Sequence, residues 1–212
     1  MSGPGGTASR VADALREQVV SGELKPGTRL SEERFRERYG VSRSTLREAF
    51  QLLIRERLLV HELSRGVFVR QLTRHDVADL YEVRRIVECA AVRRITTLTP
   101  AGLRRIAAAV ADGQAAAAEY AWDAVAAASI RFHEALVALA GSERLDVMMS
   151  GVLAEFRLAY AQMGDAWPHG AYLTRHVEIA DALRSGEIEL AAGRLHDYLI
   201  EAEAKLLENY VD

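Results

Sequence analysis

Five residues at the start of one short helical segment combine small hydroxyl groups with long cations, a combination suited to DNA. They are Ser42, Arg43, Ser44, Thr45 and Arg47. A helix that enters a DNA major groove, about 12 Å wide, presents its first turn to phosphates and base edges. Short hydroxyl side chains let the helix end approach phosphate oxygens, arginines reach further, and the amides of a helix N-terminus attract phosphate as well. The pattern predicts a DNA-recognition helix that begins at Ser42.

A further cation lies at the tip of a predicted hairpin, where Arg65 precedes Gly66. Glycine permits the tight turn that such a tip requires. An arginine at this position can enter the minor groove or hold the DNA backbone. The pair is therefore a second candidate DNA contact.

Each of these residues taken alone also has an ordinary structural explanation. Ser42 would serve as the N-cap of any helix. Arg47 would pair on a solvated face with Glu48 or Glu56. The whole combination, rather than any single member, favours DNA binding.

The surrounding elements predict a winged helix-turn-helix. Apolar residues at helical spacing over 11–20 predict a first helix, and Ser31, followed by two glutamates, predicts the N-cap of a second. In the third helix, the apolar residues of 46–53 fall on one face. Segments 58–61 and 66–69 then predict two short strands joined by a tight turn.

The remainder of the chain predicts an all-α antiparallel helical bundle. Six amphipathic helices are expected, near residues 76–97, 100–118, 122–140, 143–164, 168–185 and 187–210. The predicted organisation is a winged helix-turn-helix domain over 7–72 and a helical ligand-binding and dimerisation domain over 75–212.

Charge and composition agree with this division. Residues 1–72 contain 13 Lys and Arg against 9 Asp and Glu, whereas residues 73–212 contain 14 against 21, which together give the net charge of −3. A basic first part and an acidic second part indicate that only the first approaches phosphate. Cys89 is the one cysteine, so no internal disulfide is possible, and no apolar run reaches the roughly 20 residues that span a bilayer. We expect a soluble, cytoplasmic protein.

The segment from Leu24 to Val69 resembles the DNA-binding domain of GntR-type transcription regulators. The resemblance rests on Pro26-Gly27, Leu30-Ser31-Glu32, Val41-Ser42-Arg43, Arg47-Glu48-Ala49 and Arg65-Gly66. It implies DNA contacts by Arg43, Thr45, Arg47 and Gly66.

One position departs from the pattern of the best-described members of that family. They have an arginine after the glutamate of the second helix, where this chain has Glu33. The neighbouring Arg34 points about 100° away around the helix. We therefore expect more of the sequence readout to fall on Arg43, Arg47 and Arg65.

The second segment resembles the FCD domain of fatty-acid-responsive (FadR-type) and many organic-acid-responsive GntR regulators. The matching residues are Leu80-Tyr81-Glu82-Val83-Arg84, Glu88, Phe132-His133, Ala140-Gly141, His176, Ala182-Leu183, Gly186-Glu187 and Ala191. The resemblance implies a homodimer that binds a palindromic operator in double-stranded DNA. It also implies that a small-molecule effector alters the affinity of the protein for this DNA. We expect the protein to repress transcription and a small acid to relieve that repression. The alternative is that the protein activates transcription.

Many members of this family bind a divalent metal through an Asp four residues before a first His, a second His, and a third His on the last helix. His133 and His176 occupy two of these positions, but Ser129 and Tyr198 occupy the other two. His196 lies about 200° round the helix from Tyr198 and cannot replace it. The resemblance therefore implies no metal cofactor; if a metal such as zinc is bound, His133 and His176 hold it.

The same positions predict a metal-free effector cavity lined by Arg84, Ser129, His133, His176 and Tyr198. The guanidinium fork of Arg84 suits both oxygens of a carboxylate. The alternatives are that Arg84 pairs internally with Glu88, one turn later, and that the histidines are buried groups hydrogen-bonded within the bundle.

Two other functions remain open. The chain could be a DNA-binding regulator that acts constitutively, without effector sensing. It could also be a metal-dependent hydrolase, but it has no HExxH motif, nucleophile elbow or phosphate loop. The expectation is a regulator and not an enzyme.

Overall fold

The computed structural model describes the backbone of residues 6–163 and 169–210, and the side chains of these residues except 169–171 and 209. The chain divides into two compact units, the first ending at Gln71 and the second beginning at Leu72. Each unit is built around its own buried core.

The first unit is a winged helix-turn-helix. Its elements are α1 (Thr7–Val20), β1 (Arg29–Leu30), α2 (Glu32–Tyr39), α3 (Arg43–Arg55), β2 (Leu59–Glu62) and β3 (Gly66–Val69). The strands form an antiparallel sheet in the order β1-β3-β2, in which His61 lies opposite Val67. The sequence predicted β2 and β3 but not β1, because two residues carry no periodicity and β1 exists only through its pairing with β3.

Helix α3 is held by the apolar face that its sequence predicts. Leu46, Ala49, Phe50 and Leu53 are buried, and α3 packs against α1, where Leu15 is fully buried. Truncating a leucine in such a core costs about 2–5 kcal/mol. The start of the recognition helix is therefore fixed by the core behind it.

The second unit consists of helices in its described part. They are α4 (Arg74–Arg93), α5 (Pro100–Ala118), α6 (Trp122–Ala138), α7 (Glu143–Met163), α8 (His169–Arg184) and α9 (Ile188–Asn209). Helix α4 ends four residues before the predicted position 97, and the predicted helix bounds at 164 and 168 lie outside the described residues. None of the described helices is long and apolar enough to cross a membrane.

Two local features order the packing of this unit. Thr73 and Asp76 form a reciprocal capping box at the start of α4, which fixes where that helix begins. Helices α5 and α8 approach closely at Gly113, where an added Cβ would lie 2.8 Å from Cδ2 of Leu173. This contact closes one side of the cavity described below.

Candidate functional site

The start of α3 presents a cluster of hydroxyl groups. The Ser42 hydroxyl accepts a hydrogen bond from the backbone N–H of Thr45 at 3.2 Å, which makes it the N-cap. Its oxygen also lies 2.9 Å from Oγ of Ser44 and 2.8 Å from Oγ1 of Thr45. Ser42 and Ser44 are exposed, so these groups are available to a phosphate.

Glu32, in the first turn of α2, engages both arginines of the recognition helix. Arg47 Nε donates to Glu32 Oε1 at 2.8 Å, and Arg43 Nε lies 3.7 Å from Glu32 Oε2. The expected alternative partners of Arg47, Glu48 and Glu56, were wrong, because α2 brings Glu32 closer to Arg47 than either. Both arginines remain more than half exposed, and exposed ion pairs are worth about 0–1 kcal/mol, so DNA can displace the carboxylate.

At the wing, as in the recognition helix, an exposed arginine is paired with a glutamate. Arg65 forms an ion pair with Glu62, and its guanidinium carbon lies 5.3 Å from the centre of the Phe68 ring. Gly66 has φ +110°, a backbone conformation that favours glycine. The tip is therefore a tight turn carrying one exposed cation.

In the second unit, the structure brings together all five residues predicted to line an effector cavity. Arg84 Nε donates to Glu88 Oε1 at 2.7 Å, and Nδ1 of His133 lies 2.6 Å from Glu88 Oε2. None of these three side chains is more than 1 % exposed. Of the alternatives raised by the sequence, the internal Arg84–Glu88 pair is thus present.

Aromatic rings enclose this ion pair. The ring centres of His133 and Tyr198 lie 5.5 Å apart in a stacked arrangement, and His176 stacks on Phe132 at 4.2 Å. Tyr198, Ser129 and His176 line the same small cavity. We call Arg84, Glu88, Ser129, His133, His176 and Tyr198 the polar cluster.

Burial sets the protonation states within the polar cluster. Burial alone would raise the pKa of Glu88, but the adjacent Arg84 and His133 lower it to about 2. Desolvation lowers the pKa of His133, against the opposing effect of Glu88, and places the pKa of His176 well below its usual range. The cluster therefore holds one positive and one negative charge, with both imidazoles neutral at pH 7.

Several buried atoms of the cluster have no hydrogen-bond partner among the described residues. They are Nη1 and Nη2 of Arg84 and the Nε2 atoms of His133 and His176. A buried polar group left without a partner costs about 1–3 kcal/mol. Groups of this kind call for a bound water, ion or ligand.

The open space in the polar cluster is small, and of the five residues predicted to line it, Ser129, His176 and Tyr198 do so whereas Arg84 and His133 do not. A cavity of about 10 Å³ is lined by Val125, Ala126, Ser129, Tyr160, Tyr172, Leu173, His176 and Tyr198. This volume accommodates roughly one water molecule. A larger ligand requires the aromatic walls to move.

The side chains of the polar cluster do not fit the divalent metal that many proteins with an FCD domain bind. The hydrogen bond between Glu88 and His133 is of the type that orients metal-binding imidazoles, but only two imidazoles face the cluster. Burial raises the pKa of Tyr198 well above its usual range, so its hydroxyl stays protonated, and Ser129 is neutral. Within residues 6–163 and 169–210, no group of three or more His, Cys, Asp or Glu side chains is placed to hold an ion.

Sequence reasoning missed three residues of these sites. Glu32 was interpreted only as a favourable charge at a helix start, and its arginine partners are 11 and 15 residues away. Tyr172 lies one turn before His176 on α8, a spacing that places both on one face. Tyr160, on α7, lines the cavity without any signal in the sequence.

Comparison with known proteins agrees with both units. The family described as "Bacterial regulatory proteins, gntR family" matches residues 7–69, and the FCD domain family matches residues 79–201. A solved structure from Rhodococcus sp. RHA1, named as a GntR transcriptional regulator, is 45 % identical with a TM-score of 0.90 and covers 96 % of this chain and 99 % of its own. Escherichia coli McbR/YncC has a TM-score of 0.84 at 20 % identity over 97 % of this chain and 99 % of its own, which shows the fold alone.

Matches to curated relatives are shorter. The gluconate operon transcriptional repressor of Bacillus licheniformis is 36 % identical over 89 residues, which are 42 % of this chain and 36 % of the relative. The transcriptional repressor RspR of Escherichia coli is 34 % identical over 40 % of this chain and 37 % of its own length. The chain thus spans about a third of the curated relatives that it matches.

These findings confirm the predicted fold, a winged helix-turn-helix followed by an all-α bundle, and the expectation of a regulator rather than an enzyme. The matched ranges cover most of both units. The chain belongs to the GntR family of bacterial regulatory proteins, as a member with a C-terminal FCD domain.

Proposed function

We propose that the protein is a cytoplasmic, dimeric repressor that binds a palindromic operator and whose DNA binding is modulated by a small carboxylic acid in the FCD domain. Two-fold symmetry in the protein matches two-fold symmetry in the DNA. The exposed hydroxyls and arginines at the start of α3 and the wing arginine support the DNA-binding part.

The observation that carries the effector part is the state of Arg84. Its guanidinium is fully buried beside the Phe156 ring, one nitrogen is bound to Glu88, and the two terminal nitrogens have no hydrogen-bond partner among the described residues. A carboxylate accepts two parallel hydrogen bonds from this group. His133 donates through Nδ1 to Glu88, which leaves Nε2 as an acceptor for a ligand hydroxyl. A small hydroxy acid satisfies both.

The small cavity supports a closed ligand-free state. An acid larger than water must displace Tyr172 or Tyr198, so ligand binding selects a different arrangement of the bundle. No metal takes part in this proposal, because Ser129 and Tyr198 replace anionic or imidazole donors with neutral hydroxyls.

A contact within the second unit links the wall of the cavity to Leu72, the first residue of that unit. Tyr160 lines the cavity on α7, and two residues later the Gln162 amide binds the backbone of Leu72. Leu72 N–H donates to Gln162 Oε1 at 2.7 Å, and Gln162 Nε2 donates to the Leu72 carbonyl at 3.1 Å. We propose that movement of α7 on ligand binding reaches Leu72, where the chain enters the second unit, through this contact.

A thermal-shift screen of small carboxylic and hydroxycarboxylic acids tests the effector site. At least one acid should raise the melting temperature of the wild type, because a ligand that binds only the folded state stabilises it. Arg84→Gln alone would strand a buried carboxylate, so the suitable variant is the double substitution Arg84→Gln/Glu88→Gln, which removes both charges together. This variant should fold and lose the shift.

The alternative function is a constitutive DNA-binding regulator, and the near absence of open volume in the polar cluster favours it. In that case no acid stabilises the wild type, and DNA affinity is independent of added acids. Full stabilisation of the double variant by the same acid would place the effector elsewhere.

A further inference from the structure

Arg29 differs from the arginines predicted to contact DNA. The recognition-helix arginines share Glu32, and the wing arginine pairs with Glu62. Arg29, on β1, is exposed, and its side chain forms no hydrogen bond or ion pair within the part of the chain that the structure describes. Its charge is therefore available without displacing a carboxylate.

The side chain of Arg29 borders a concave space between the sheet and the start of α2. This cleft has a volume of about 410 Å³ and is lined by Arg29, Leu30, Ser31, Glu32, His61, Gly66 and Val67. A Cβ added at Gly66 would lie 3.5 Å from Nε of Arg29, so the guanidinium lies beside the glycine of the wing tip. We call this space the Arg29 cleft.

The charge around the cleft is positive although Glu32 is part of its wall. Glu32 is shared by Arg43 and Arg47, and Arg29 borders the same cleft, so these three guanidinium groups and one carboxylate carry two net positive charges. The cleft lies between the wing strands and the start of α2, and its Glu32 contacts the two arginines of the recognition helix, the element expected to enter the major groove. A phosphate of the DNA strand beside the bound recognition helix would lie near it.

We propose that the Arg29 cleft binds a backbone phosphate of the DNA, with Arg29 as the principal contact. Apart from Arg29 and the Glu32 carboxylate, which is occupied by Arg43 and Arg47, the lining is a serine hydroxyl, an exposed histidine and apolar groups, which do not form the paired donors and acceptors that read a base edge. A phosphate contact positions the protein on the duplex without conferring sequence preference. The inference rests on the proposed DNA binding and adds a contact beyond the recognition helix and the wing tip.

The test compares Arg29→Gln with Arg55→Gln in the full-length protein. Arg55 is also exposed and lies in the last turn of α3, roughly 18 Å along the helix from Arg43. Arg55→Gln is therefore a control that removes the same charge far from the start of the recognition helix. The probe is a mixed-sequence DNA duplex, titrated by fluorescence anisotropy over a series of salt concentrations. Circular dichroism and melting temperature verify that both variants are folded.

Arg29→Gln should reduce the slope of log affinity against log salt by about 1, because one phosphate contact is lost. It should weaken binding by the same factor for every duplex sequence, and Arg29→Lys should restore most of the slope. Arg55→Gln should match the wild type.

Equal effects of the Arg29 and Arg55 substitutions would overturn the cleft proposal and leave DNA binding itself intact. A change of base preference in Arg29→Gln would also overturn it, in favour of a base contact. If the wild type binds no duplex at low salt, the proposed function fails, and the cleft proposal fails with it.

Discussion

The carboxylate of Glu88 joins two residues that lie on different helices, because one oxygen accepts from Arg84 on α4 and the other lies 2.6 Å from Nδ1 of His133 on α6. This contact orients the His133 ring and fixes its Nδ1 as the donor. It also explains why a charged pair can be wholly buried, since each charge is compensated. The stability and ligand chemistry of the second unit both depend on it.

Stability of the second unit should fall as pH is lowered from about 6.5, the ordinary pKa of histidine. His133 and His176 have lower pKa values when folded, so below this pH the unfolded chain binds more protons than the folded one. Each histidine then lowers the free energy of unfolding by up to about 1.4 kcal/mol for every pH unit below 6.5. The decrease ends at the pKa that the histidine has in the folded protein. Denaturant titrations at several pH values measure this slope.

Both tryptophans, Trp122 and Trp167, lie after residue 72, so their fluorescence reports unfolding of the second unit. His176→Phe should reduce the slope by about half, because it removes one of the two titrating groups. His196→Gln, at an exposed position on α9, is the control and should leave the slope unchanged. A wild-type stability that does not change over this pH range would contradict the assignment of neutral buried imidazoles.

The double substitution Ser129→Asp/Tyr198→His should create a metal site. It places a carboxylate one helical turn before His133 and a third imidazole on α9, beside the existing Glu88–His133 contact. The variant should lose stability without metal, because a charge is buried, and regain it with zinc. Elemental analysis after dialysis should find about one zinc per double-variant chain.

The wild type is the control for this variant and should retain no stoichiometric zinc in the same dialysis. Tight zinc binding by the wild type, abolished by His133→Asn, would show that two imidazoles and neutral hydroxyls suffice. The metal-free account of the polar cluster would then be wrong.

Sequence reasoning succeeded where the determining forces are local. The cap at Ser42 and the apolar face of α3 follow from residues within two turns of each other, and both are present. It failed where partners are distant in the chain: β1 exists through pairing with β3, and Glu32 meets Arg47 only because α2 and α3 cross. Family motifs indicated which residues would meet in the bundle, but the cavity volume depends on packing that no spacing rule supplies.

The ion pairs of Glu32 predict opposite effects at two positions. Arg47→Ala should weaken operator binding by about 1–3 kcal/mol and relax base preference, because a base-reading side chain is lost. Glu32→Gln should strengthen binding to mixed-sequence DNA, because it removes a charge that repels phosphate and competes for Arg43 and Arg47. Anisotropy titrations against both duplexes measure these changes.

Glu33→Gln is the matched control for Glu32→Gln, since Glu33 is an exposed neighbour without a recognition-helix partner among the described residues. It should have a smaller effect on mixed-sequence binding. If Arg43→Ala and Arg47→Ala both bind the operator as tightly as the wild type, the assignment of the recognition helix is wrong.

Gln162→Ala should uncouple ligand binding from DNA binding. The substitution removes both hydrogen bonds to Leu72 but leaves the polar cluster intact, so an acid should still raise the melting temperature. Its effect on DNA affinity should shrink, whereas Gln114→Ala, at an exposed position on α5, should behave as the wild type. Full coupling in Gln162→Ala would exclude this contact as the route.

The most direct test measures affinity for a palindromic duplex from the protein's own promoter, with and without a saturating acid found by the thermal-shift screen. For the wild type, the acid should change the affinity by at least about 5-fold, the lower end of typical allosteric coupling. For Arg84→Gln/Glu88→Gln, it should change nothing. Equal wild-type affinity with and without bound acid would contradict the account and identify a constitutive DNA-binding regulator.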